Sequence, residues 1–110
     1  MPESYPLHRV RADTQTKRVD VLFEEAFLIL DAPGPYNLKS WSVKIQGLDI
    51  DSANFLDSCF YYGEKRVSLY METPGGKSLE GEAFISAVAV GPHSHVTIEG
   101  INALNGYEAL

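Results

Sequence analysis

Two histidines and a carboxylate come closest to a recognisable chemistry: His93-x-His95, then three residues, then Glu99. Imidazole nitrogens with a carboxylate oxygen are a donor set for zinc, iron or manganese, and each donor must lie within about 2.0 to 2.2 Å of one ion. The spacing works against that geometry. Along an extended strand His95 and Glu99 stand about 13 Å apart at roughly 3.3 Å per residue, so only a bend between them would bring both to one ion. The plainer reading is two exposed histidines in a turn.

Three further patterns invite chemistry and have a simpler account. Cys59 is the single cysteine, so it forms no disulfide within the chain and no CxxC pair. A lone cysteine can be a nucleophile, but its place beside Leu56 and Phe60 fits a small buried hydrophobe. Asp49 and Asp51 could serve as paired carboxylates or hold a hard cation. Two carboxylates without further oxygen donors make a weak site, and both residues suit the cap of a following helix. Pro74-Gly75-Gly76-Lys77-Ser78 ends in the Lys-Ser of a phosphate loop, yet it lacks that loop's first glycine and falls between two predicted strands. A hairpin turn is the better description.

The elements around these residues are mostly strands. Trp41, Val43 and Ile45 alternate with Ser42, Lys44 and Gln46, as do Val67, Leu69 and Met71 with Arg66, Ser68 and Tyr70, the period-two pattern of half-buried strands. Thr73-Pro74-Gly75-Gly76 closes the second of these and predicts a hairpin with the strand Leu79–Val90. That strand carries Glu80 and Glu82 on one face at its start. It then turns apolar on both faces (Phe84, Ile85, Val88, Val90), which predicts a central position. In the next strand Val96 and Ile98 point inward and His95, Thr97 and Glu99 outward, before a last turn at Asn105-Gly106.

Residues 18–32 fit a helical stripe or strands. Phe27 and Leu28 fall off the stripe, which favours β structure with a strand over 26–30 buried on both faces. Pro33-Gly34-Pro35 ends it. Asp51-Ser52 offers an N-cap, and Ala53, Leu56, Cys59 and Phe60 recur at helical spacing up to Gly63, predicting a short helix over 52–62; FLDSCFYY read alone would also suit a strand. Residues 1–17, polar and holding Pro2 and Pro6, read as an extended N-terminal arm, with one β domain over 18–110. The expected fold is mainly β: an antiparallel β-sandwich or small barrel with one short helix.

Bulk properties set outer limits. A chain of 110 residues buries a single core. Asp and Glu outnumber Lys and Arg by 15 to 9, a formal charge of −6, which disfavours specific nucleic-acid binding but suits a surface past which DNA slides. The N-terminus lacks the apolar core of a secretory signal, and no run approaches the roughly 18 apolar residues of a membrane helix. These features predict a soluble protein made in a cytoplasm, with no membrane partner.

The run LEGEAFISAVAV, the run VTIEG that follows it, and the segment Leu56 to Gly63 leading into a strand together resemble the tail-tube proteins of long-tailed bacteriophages and related contractile machines, over roughly the C-terminal two-thirds of the chain. The chain is short for that family and ends in INALNGYEAL where a glycine-leucine strand is more usual. The resemblance implies a structural, non-enzymatic protein without a cofactor, which forms hexameric rings stacked into a tube. It also implies contact with other tail proteins, and passage from the host cytoplasm into a virion or phage-like particle. Glu80, Glu82 and Glu99 would then line an acidic bore. Two other readings stand beside it. One is a monomeric β-sandwich adaptor or inhibitor of a protein partner. The other is a cupin-like metal protein, because His93, His95, Glu99 and Gly106 resemble the first cupin metal motif, although Ala87 replaces its leading glycine and no second motif follows.

Overall fold

The computed structural model describes residues 3–14, 18–31, 40–62, 66–89 and 94–101. Among these, eight strands and one helix succeed one another: β1 (Glu3–Pro6), β2 (Arg9–Asp13), β3 (Arg18–Val21), β4 (Glu25–Asp31), β5 (Ser40–Gln46), α1 (Ile50–Tyr62), β6 (Arg66–Glu72), β7 (Ser78–Ala89) and β8 (His95–Gly100). The strands form one sheet in the order β1-β4-β5-β8-β7-β6-β2-β3. Every pairing is antiparallel. The sheet curls into a half-barrel, and its second layer is α1, which packs chiefly on β7 and touches β8 and β3.

Period-two alternation decides what is buried. Leu28, Trp41, Val43, Ile45, Val67, Leu69, Met71, Leu79, Ile85, Val96 and Ile98 all point to the inner face and meet Ala53, Leu56 and Cys59 of α1 in one core. The strands predicted from the alternation at Trp41 to Ile45, Val67 to Met71 and Val96 to Ile98 and the predicted helix are present, and β7 lies between β6 and β8 as a central strand does. Gly100 sits opposite Trp41 because Ser42 pairs with Glu99, and any Cβ on Gly100 would overlap the indole ring. A glycine is required there by close approach.

Four expectations need correction. Residues 3–13 are extended but are no separate arm: β1 and β2 belong to the sheet, and Leu7, Val10 and Ala12 lie in the core. Tyr5 pairs with Leu28, Val10 with Val21 and Met71, and Ala12 with Leu69, and that burial offsets the entropy of ordering the segment. The strand over 26–30 is buried on one face only, since Phe27 is 36% exposed. Phe84 in β7 is likewise 37% exposed, because among the described residues no second layer covers the sheet's outer face. The helix begins at Ile50, before the expected start at 52, and of the candidate caps it is Asp49 and not Asp51-Ser52 that fills the role: the Asp49 carboxylate accepts the Ser52 N–H at 2.9 Å, and its carbonyl accepts the Ala53 N–H at 2.9 Å.

Gly81 stands inside β7 opposite Leu69. Ser86 is the extra residue of a bulge between Ile85 and Ala87, and its hydroxyl donates to the Thr97 carbonyl at 3.1 Å. The turn expected at Asn105-Gly106, the Pro33-Gly34-Pro35 stop, Gly63 and Val90 lie outside the described residues.

The two edges of the sheet differ in what they offer. Leu7 N–H donates to the Ala26 carbonyl at 2.9 Å, so in β1 the peptide groups of residues 3 and 5 face β4 and those of Ser4 and Pro6 face outward. Pro6 has no N–H, and proline on an edge discourages strand addition. On the other side, Thr73 N–H donates to the Lys77 carbonyl at 2.9 Å. With the registers of β6, β2 and β3, this phase turns Val19 and Val21 toward β2 and Arg18 and Asp20 outward. The next outward residue, Leu22, is taken by the helix: its N–H donates to Ser52 Oγ at 3.0 Å and its carbonyl accepts the Asp49 N–H at 3.1 Å.

Candidate functional site

The outer face carries the three glutamates expected at an assembly surface. Glu80 and Glu82 project from β7 and Glu99 from β8, all on this face, as the alternation predicts. The register sets their neighbours: Asp13 and Ser68 lie in the row of Glu82, Arg11 and Tyr70 in the row of Glu80, and Ser42 and Phe84 flank Glu99. A depression of about 170 Å³ is lined by Arg11, Asp13, Ser68, Tyr70, Glu80 and Glu82 among others.

Arginines from distant strands are threaded among these acids. Arg66 pairs with Glu82. Arg11 grips Asp13 through two nitrogens at 3.2 and 3.3 Å and lies over the Tyr70 ring, 4.9 Å from its centre. The Tyr70 hydroxyl donates to Glu72 at 2.9 Å. Arg18 reaches Asp13 at 3.6 Å and Arg9 reaches Asp20 at 3.3 Å. The face is therefore a mosaic of both signs. The three glutamates share it but do not form one cluster, because Glu99 stands a row away from Glu82.

The histidine motif is not drawn together. His95 lies opposite Gln46 and Ala89, and Glu99 opposite Ser42 and Phe84. The β5 register runs unbroken from one to the other, so β8 keeps its extended spacing between them. His93 lies outside the described residues. Among the described residues, no three His, Cys, Asp or Glu side chains gather where they could hold a metal ion. Cys59 is buried on the inward side of α1, across the sheet from His95. Pro74 to Lys77 form the β6–β7 turn, in which Thr73 Oγ1 accepts the Lys77 N–H at 3.1 Å and Gly76 takes φ 86°. A strand-to-strand turn offers none of the helix N-terminus a phosphate loop needs.

Sequence reasoning named Asp49 as a candidate cap but missed the partners gathered around it at the start of α1. Hydrogen bonds from Ser52, its hydroxyl first and then its N–H, hold the Asp49 carboxyl below its ordinary value of 3.8, with burial opposing them. The same hydroxyl accepts the Leu22 N–H. Buried Ser94 donates to the Leu48 carbonyl at 2.9 Å and accepts the Gly47 N–H at 3.0 Å on its own carbonyl. Gly47 has φ 68° and sits against Glu24, a conformation that favours glycine. The signal was present in Gly47 and Asp49, but the partners come from three separate segments. Comparison of the chain with protein-family models, with curated proteins and with solved structures found no match.

Proposed function

We propose that this chain is a structural subunit that works by assembling with copies of itself, as a tube subunit or related component of a phage or phage-like tail. The observation that carries this reading is the division of the sheet: one face is filled by α1 and the core, and the other presents Glu80, Glu82 and Glu99 to solvent. An open sheet with one such face suits a lining surface. Glu80 and Glu99 would supply most of the negative field toward a passing phosphate backbone, with Glu82 partly neutralised by Arg66. Such a subunit needs no cofactor and contacts other tail proteins. It would be made in the host cytoplasm and end in a particle.

Electron microscopy of the wild type and of the Glu80→Lys, Glu82→Lys, Glu99→Lys variant tests this. Rings or tubes whose DNA retention rises in the triple variant support the reading; assemblies that pass DNA unchanged remove the role of the three carboxylates. A monomeric adaptor that binds a protein partner is the second reading. It is favoured by the guarding of β1 by Pro6 and of the last position of β3 by α1, since a guarded stretch of edge resists pairing with another chain.

A further inference from the structure

We infer that the open part of the β3 edge is a contact for a second copy of this chain, bound antiparallel across a twofold axis at Val19. Arg18 and Asp20 are the residues whose peptide groups face off the edge, and their exposed side chains lie on the outer face. Antiparallel pairing of β3 with itself has three registers in which these groups meet. One sets Arg18 against the partner's Arg18 and another sets Asp20 against the partner's Asp20, and like charges directly opposite are destabilising. The third sets Arg18 against the partner's Asp20 twice over, with Val19 against the partner's Val19 between them. The edge is self-complementary in that register alone.

The charges already in place extend the match. Asp13 lies opposite Arg18, and Arg11 opposite Asp20, so the row across the contact runs Asp13, Arg18, the partner's Asp20, the partner's Arg11. Signs alternate along all four positions. Apolar surface adjoins the same edge: Leu22 is 60% and Ile50 73% exposed, and a strand laid along β3 runs past Leu22. An isologous contact of this kind closes on a pair. It goes beyond the tail reading and does not depend on it.

A cysteine at Val19 reads the contact directly. Val19 and the partner's Val19 would form the pair without mutual hydrogen bonds, with Cα atoms about 4.5 Å apart, within disulfide range. We expect Val19→Cys to give a disulfide-linked dimer under mild oxidation, while wild type, with Cys59 buried, and Ser4→Cys on the β1 edge do not. Adding Arg18→Asp or Asp20→Arg to the Val19→Cys chain should each slow cross-linking about tenfold. Mixing the two charge variants should restore it as mixed dimers, because two acidic positions on one chain then meet two basic positions on the other across the contact. Cross-linking of Val19→Cys no faster than in Ser4→Cys, or a mixture as slow as either charge variant alone, overturns the contact. Particle mass separates the two proposals: cross-linked pairs without rings sink the tube, and rings whose Val19→Cys form does not cross-link sink this contact.

Discussion

The inner and outer faces of this one sheet are built from alternate residues of the same strands, yet they obey different rules. The inner face is apolar and specific in shape, with the indole of Trp41 laid on Gly100 and α1 closing the curl. The outer face mixes Arg11, Arg66 and Lys44 with Asp13, Glu80, Glu82 and Glu99, and holds Phe27 and Phe84 half open to water. Core contacts cannot be exchanged without cavities or overlap. Exposed ion pairs each contribute little to stability. The difference teaches that the fold depends on one face and leaves the other free to carry whatever the molecule does.

The comparison breaks first at Trp41. Trp41→Ala should cost about 3 to 5 kcal/mol in denaturant unfolding, as truncation of a buried aromatic does; a loss below about 1 kcal/mol would move Trp41 off the core. Gly100→Ala approaches the same contact from the other strand. Its methyl group must displace the indole, an overpacking expected to cost about 1 to 3 kcal/mol, and unchanged stability would show that the ring has room to shift.

Asp49 gives a smaller effect with a distinct pH signature. Its folded pKa is lowered from 3.8, so its contribution is present above pH 3.8 and is lost as pH falls through the folded value. Asp49→Asn keeps a capping side chain but not the charge. The variant should be slightly less stable at neutral pH, and the two stability curves should converge in acid below pH 3.8. Parallel curves would show that the hydrogen bonds from Ser52 do not favour the charged form.

The smallest change in stability belongs to the outer face. Replacing Glu80, Glu82 and Glu99 together by lysine should alter the unfolding free energy by less than about 1 kcal/mol, because the sites are exposed or half-exposed and the pair of Glu82 with Arg66 lies at the surface. A collapse of the fold would mean that the mosaic supports the sheet, and the division between the faces would fail.

Strands whose outward residues are mostly polar were legible from alternation: Trp41 to Ile45, Val67 to Met71, and Val96 to Ile98. Where an apolar residue faces outward, as at Phe27 and Phe84, a single strand looks buried on both sides, since nothing local reveals what covers it. β1 and β2 were hidden by their length and by prolines, although Val10 and Ala12 already alternate with arginines. The cap at Asp49 competed with Asp51 and Ser52 within four positions; Ser52 is occupied by Leu22, thirty residues earlier. That Glu80, Glu82 and Glu99 share a face followed from period two. Their arginine neighbours did not, because those depend on the register of strands far apart in the chain.

The mass of the protein in solution tests the central proposal, that the chain works by assembling with copies of itself. Light scattering over rising concentration should give a mass well above the 12.2 kDa of one chain, approaching a whole-number multiple set by a closed ring. A mass that stays at 12.2 kDa at the highest concentration would contradict self-assembly and leave the adaptor as the better account.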